Sequence, residues 1–259
     1  MAQGFHPERP ERLVAARRGL DGSLTRQSPV ASRLASTGEL VRVHSADYIE
    51  RLEALLRKGH GFLDGDTFFS PGTHEAAWRA AGTACALVET LLEPGGPSTG
   101  ILLARPPGHH ATRDRAMGFC VVNSVAVAAA HARARGTARV AIVDFDVHHG
   151  NGTQDIFESD PDVLFISLHQ WPLYPGTGGA QEVGLGEARG RTVNLPLPPG
   201  SGAGAYRAAF ERVVAPAIEA FAPGLLLVSA GFDAHERDPL AAMRVDTGTF
   251  GWMGGQLGA

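Results

Sequence analysis

The chain has 259 residues, 44% hydrophobic and 19% charged, with a formal net charge of -4 at pH 7. That length and balance suit one α/β domain with a sizeable core, and the lack of Lys/Arg clusters removes the electrostatic reason to expect a nucleic-acid partner. No apolar run approaches the roughly 20 residues a bilayer span requires, the N-terminal MAQGFHPERPERL has no apolar leader core, and Cys85 and Cys120 make no disulfide framework, so a cytoplasmic setting without a membrane is expected.

Residues 6–13, HPERPERL, place prolines and charges ahead of an apolar-periodic segment and predict an extended lead-in to a helix near 11–20. Stretch 45–58, SADYIERLEALLRK, predicts a helix capped by Ser45, because Tyr48, Ile49, Leu52, Leu55 and Leu56 fall on one face. Residues 61–73, rich in Gly, Asp and aromatics, read as a loop; the Ala-rich 74–92 reads as a helix stopped by Pro94-Gly95-Gly96. Ile101 to Ala104 then read as a strand, from which Pro106-Pro107-Gly108 force a non-helical exit into His109-His110. Adjacent histidines cannot share a helix face, yet in a turn both rings can approach one cavity, one to orient and one to move a proton. A long Ala/Val-rich helix is expected after Gly118-Phe119-Cys120.

The stretch that organises the chain is 138–154, ARVAIVDFDVHHGNGTQ. Its unalternating Val140–Val143 run suits a strand covered on both faces, as in a parallel sheet, and such sheets carry their chemistry at the carboxyl ends of the strands. Asp144, Asp146, His148, His149 and Asn151 follow at once. Burying so many polar groups is costly without an ion or a dense hydrogen-bond network. Asp146 and His148, two apart, point the same way in extended backbone and supply two ligands of an open zinc site. Further strands are expected at Val163 to Leu168, followed by a stiff loop with Trp171, Tyr174, Pro175 and Gly176, in the extended piece 192–202, and at 225 onwards after a helix at about 203–221. The last strand leads through Gly231 to Asp233, the third ligand. The βα alternation implies parallel strands joined by right-handed crossovers.

Several motifs, RPPGHH (105–110), GFC (118–120), DFDVHHGNGTQ (144–154), YPGTG (174–178) and AGFDAHERDPL (230–240), resemble the zinc-dependent histone deacetylase and acetylpolyamine amidohydrolase family. HPERPERL and Asn151 make the chain similar to its class II and bacterial amidohydrolase-like branch. The resemblance implies a three-layer α/β arginase/deacetylase-like fold with a mainly parallel central sheet flanked by helices, over a single domain of residues 1–259. It also implies an amidohydrolase that removes acetyl or similar short acyl groups from acetyl-lysine or acetylpolyamines, with esters as further substrates.

By that resemblance Asp146, His148 and Asp233 hold one Zn²⁺, His110 is the general base and His109 its proton-transfer partner, while Asp144 and Asn151 support His109 and His110. Asp144, Asp146, His148, Ser167 and Leu168 match an inner monovalent-cation site, usually K⁺. Phe119 and Tyr174 match the walls of a substrate channel, Leu240 a residue near its floor, and Arg12 an inner-cavity arginine. The family's first strand and its C-terminal Gly-Gly-Tyr segment have no counterpart here, so the domain is expected to be incomplete at both ends, slow on amides and prone to form a homo-oligomer. The competing readings are a non-catalytic zinc-dependent acyl-amine or ligand-binding protein and, because His235 and Asp238 follow Asp233, an arginase-like two-metal hydrolase.

Overall fold

The second proline of HPERPERL opens the first helix: α1 spans Pro10–Ser23, and proline is tolerated in the first turn because its missing N–H has no partner there anyway. The computed structural model describes residues 7–23 and 28–258. Two units make up the chain, Met1–Ala128 and Ala129–Ala259.

In the first unit, α2 (Thr37–Leu40) starts on a capping box in which the Ser36 hydroxyl accepts from Glu39 N and the Glu39 carboxylate accepts from Ser36 N. The predicted Ser45 cap accepts from Tyr48 N at the head of α3 (Ala46–Leu56), whose Tyr48, Ile49, Leu52 and Leu56 are buried. The expected loop 61–73 contains a two-residue antiparallel ribbon, β1 (Gly61–Phe62) with β2 (Phe68–Phe69). After it comes α4 (Thr73–Leu92). Gly82 on α4 lets the extended 33–35 segment cross the helix, since a Cβ there would stand 2.3 Å from Ala35 N. The strand expected at Ile101 to Ala104 does not form: these residues alternate between exposed and half-buried, with Ile101 58% exposed, and pair with no neighbour. Four apolar residues ended by prolines extend the backbone without supplying a ladder. Arg12 is exposed on α1, so it lines no inner cavity.

Helix α5 (Ser124–Ala134) carries the chain into the second unit. There β3 (Val140–Asp144), α6 (Asn151–Phe157), β4 (Val163–Gln170), β5 (Thr192–Leu197), α7 (Ala203–Ala209), α8 (Ala215–Phe221), β6 (Leu225–Ser229) and α9 (Thr247–Leu257) follow in order. The predicted helix 203–221 is continuous but widens to a π turn at Phe210–Val214, next to Pro216, which has no N–H to close a regular turn. The four strands are parallel in the order β5-β4-β3-β6. Every residue of β3 and β4 is buried, as the unalternating apolar runs required. Ala141 and Val143 of β3 and Leu164 and Ile166 of β4 share a core with Tyr206, Phe210, Phe221 and Met253 from the helices. No helix among the described residues is long and apolar enough to cross a membrane.

Candidate metal centre

Strands β3 and β6 lie side by side in register, Asp144 opposite Ser229, so their carboxyl ends stand level. The backbone beyond both ends then delivers Asp146, His148 and Asp233 to one place, where a ligand atom from each lies within 4.8 Å of the others. His148 Nδ1 is 3.1 Å from Asp146 Oδ1 and 3.0 Å from Asp233 Oδ2. The carboxylates are fixed by backbone donors: Val147 N donates to Asp233 Oδ1 at 2.9 Å and His148 N to Asp146 Oδ1 at 2.9 Å. Behind them, the fully buried Asp144 accepts from Asp146 N at 3.1 Å. Gly231 is required here, because a Cβ at that position would fall 2.1 Å from Asp146 Oδ2.

Burial acts against a charged His148, but hydrogen bonds to Asp146 and Asp233 outweigh it and raise the imidazole to about 10. Burial, with the neighbouring Asp146 charge, pushes the Asp233 carboxyl up to about 6. The two carboxylates thus favour a cation at this point, which a metal ion bound by three deprotonated donors would also supply. Two carboxylates and one imidazole, with side-chain exposures of 18%, 7% and 14% for Asp146, Asp233 and His148, are a donor set that could hold a divalent metal ion. Tyr206, fully buried in α7, has no hydrogen-bond partner for its hydroxyl among the described residues.

His149 turns the other way. Its Nε2–H donates to Gln154 Oε1 at 3.0 Å and its Nδ1 bonds to the Thr177 hydroxyl at 2.8 Å. Gln154 donates to Glu182 Oε2 at 2.6 Å, and Glu182 Oε1 accepts from the amides of Gly178 and Gly179 at 3.0 and 2.8 Å. Although burial opposes its charge, these donors hold the Glu182 carboxyl below the usual range. His169 closes the network, donating from Nε2 to Gly178 O at 2.9 Å and accepting from Ser167 at Nδ1 at 3.0 Å. Gly178 must be glycine: φ is +93°, and a Cβ would stand 2.6 Å from both His149 Cγ and His169 Nε2. Spacing marked His149 as polar but did not show that it serves a loop; Glu182 and His169 carried no sequence signal at all.

Of the other expected residues in this unit, Ser167 lies opposite Asp144 on β4, with Leu168 next to it and fully buried. Tyr174 is 38% exposed and meets His148 edge to face at a centroid distance of 6.2 Å. Asn151 begins α6, and Leu240 is half-buried, its amide donating to Asp238 Oδ1 at 2.9 Å.

The first unit holds the histidine pair. The His109 and His110 rings touch with centroids 4.0 Å apart and planes tilted by 41°, and both side chains are buried. Gly118, at φ +56°, admits the His110 ring, because a Cβ there would be 2.4 Å from His110 Cδ2. The loop is pinned by Tyr48, whose hydroxyl donates to Val121 O at 2.6 Å, and by His44. Nδ1–H of His44 donates to Thr112 O at 2.9 Å, and its Nε2 accepts from Asn123 N at 2.9 Å. Phe119 sits at φ +67° with its amide donating to Thr67 Oγ1 at 3.0 Å.

Residues 6–259 match the histone deacetylase domain. The chain belongs to the histone deacetylase family. It is 44% identical, over 96% of its length, to the histone deacetylase-like amidohydrolase of Pseudomonas aeruginosa, of which it covers 66%. It is 46% identical over 83% of its length to histone deacetylase 10, chloroplastic, of Oryza sativa, and 43% identical over 92% to the polyamine deacetylase HDAC10 of Homo sapiens, covering 51% and 38% of those proteins. The crystal structure of the HDA15 HD domain superposes with a TM-score of 0.94 at 39% identity, covering all of this chain and 74% of that one. The parallel α/β architecture expected from the βα alternation is therefore the fold of this family.

Proposed function

We propose that this histone deacetylase family member is a zinc-dependent amidohydrolase that removes acetyl or similar short acyl groups from acylated amines. The observation that carries the reading is the convergence of Asp146, His148 and Asp233 at the ends of two adjacent parallel strands. Relatives named as an amidohydrolase and as a polyamine deacetylase support the substrate class, an acetyl-lysine or an acetylpolyamine.

In this reading Asp146, His148 and Asp233 hold Zn²⁺, which supplies Lewis acidity toward the substrate carbonyl and toward a water. His110 takes the proton of the attacking water, and His109, against its ring, shares that charge and returns a proton to the departing amine, which is a poor leaving group unprotonated. Asp144 and Asn151 orient the pair, and Phe119 and Tyr174 flank the acyl chain with Leu240 near the channel floor. The buried Asp144 carboxylate opposite Ser167, with Leu168 adjacent, suits a structural K⁺. Both cysteines are free thiols, which fits a cytoplasmic setting.

Turnover of a fluorogenic acetyl-lysine amide and of an acetylpolyamine, before chelation, after chelation and after zinc is restored, tests the reading. Activity that disappears with the metal and returns with zinc is expected; activity indifferent to chelation overturns it. Zinc binding without turnover would instead favour a ligand-binding protein.

A further inference from the structure

We infer that Glu182 is a positioning residue for the loop that presents Tyr174 beside the metal centre. The inference rests on the deacylase reading for its kinetic consequence, but its structural content stands on the hydrogen bonds alone. Tyr174 and His148 meet edge to face, with ring centroids 6.2 Å apart. Three residues further on, Thr177 is tied to His149, and the next two amides, Gly178 and Gly179, both donate to Glu182 Oε1. The other oxygen of Glu182 accepts from the Gln154 amide, whose carbonyl in turn accepts from His149 Nε2–H and from Asn194 Nδ2.

The chain of bonds has a direction. Glu182 has only acceptors, so Gln154 must aim its NH₂ at Glu182 and its carbonyl at His149; that makes His149 a donor at Nε2, with Nδ1 bonded to the Thr177 hydroxyl. One carboxylate thereby sets the amide of Gln154, the proton at His149 Nε2 and two anchors of the Tyr174 loop. None of these bonds reaches Asp146, Asp233 or the His148 imidazole, so the device acts on substrate placement and not on metal binding. A wall that touches the acyl chain equally in ground and transition states changes KM and leaves kcat alone.

Glu182→Gln keeps the shape but sets NH₂ against NH₂ at Gln154. Bonds to a charged acceptor are worth roughly a tenfold change or more when lost. The full chain carrying Glu182→Gln should therefore show KM for the acetyl-lysine amide up by roughly tenfold. Its kcat should stay within about twofold and its zinc content should not change. Amide hydrogen exchange at Gly178 and Gly179 should be roughly tenfold faster. The double exchange Glu182→Gln with Gln154→Glu restores a consistent direction, because the new carboxylate at position 154 accepts from His149, from Asn194 and from the new amide at 182. It should return both KM and exchange to near the unmodified values. A single variant with unchanged exchange and KM overturns the inference, and so does a double variant as impaired as the single one. Should the unmodified chain turn over no amide, the deacylase reading fails on its own account while the exchange rates still decide the role of Glu182.

Discussion

Asp233 Oδ2 lies 3.0 Å from His148 Nδ1, across the ends of two strands that the register of β3 and β6 makes level. Neither residue could be placed there by its own strand; the parallel pairing does it. If that junction is a zinc site, removing its central imidazole leaves two carboxylates that cannot complete a three-ligand centre. Elemental analysis of protein purified without added metal should find close to one zinc per chain, and His148→Ala should abolish it. A His148→Ala protein that keeps its zinc would mean that the metal is held elsewhere.

Zinc bound at the trio would take the place of a proton on the His148 imidazole. With the imidazole raised to about 10 by Asp146 and Asp233 against the effect of burial, His148 is protonated at pH 7.5, so zinc uptake should release about one proton per chain. Calorimetric titrations in buffers of different ionisation enthalpy read this directly: the observed heat should vary with the buffer at a slope near one proton. A slope of zero would place a neutral histidine in the free centre.

The sequence made the trio legible because ligands fell just past apolar runs, where strand period and parallel topology dictate position. It made the helices legible where caps and periodicity agreed, as at Ser45 with Tyr48 and Leu52. It failed where structure depends on partners far along the chain. Ile101 to Ala104 had strand composition but no ladder partner, and the two-residue ribbon at Gly61 and Phe69 is too short to leave a periodic trace. Glu182 looked like any loop acid until the Gly178 and Gly179 amides were seen to converge on it.

Phe119 holds a left-handed φ of +67°, a conformation that costs a non-glycine residue about 1 kcal/mol. The amide bond to Thr67 Oγ1 helps hold it there, and in the proposed reading the side chain lines the substrate channel. Phe119→Ala should lower kcat/KM for acetyl-lysine amides roughly tenfold, about 1.4 kcal/mol of lost transition-state binding. Bulky aryl amides outperforming slim ones on the unmodified chain would contradict a narrow channel.

His44 links the histidine loop to acid stability. Burial drives its imidazole down to about 4, against the opposing hydrogen bond to Thr112, and in the folded chain it is a neutral donor and acceptor. Since the folded value lies below the unfolded one, the unfolded chain binds the extra proton, and stability from this group is present above about pH 6.5 and lost as pH falls through 4. The loss is on the order of 3 kcal/mol. Urea unfolding at pH 7.5 and pH 5 should show a smaller drop for His44→Gln, which offers a donor and an acceptor but does not titrate. Equal drops in the two proteins would exclude His44 as the source.

The most specific prediction concerns a residue with no side chain. Gly231 lies where a Cβ would press to 2.1 Å of Asp146 Oδ2 and 2.5 Å of its Cγ, so any larger residue must move the carboxylate or the strand end that carries it. Strand β6 is anchored in register along Leu225–Ser229, which makes the carboxylate the part that yields. Displaced ligand geometry typically costs ten- to a hundredfold in metal affinity, so Gly231→Ala should bind zinc roughly ten- to a hundredfold more weakly while folding normally. Gly204→Ala, in α7 with nothing within 4 Å of the new Cβ, is the matched control and should bind zinc as the unmodified chain does. Competition against a fluorescent zinc chelator, with far-ultraviolet circular dichroism to confirm folding, separates the cases. If Gly231→Ala and Gly204→Ala hold zinc equally well, Asp146 does not bind the metal from the position it occupies here.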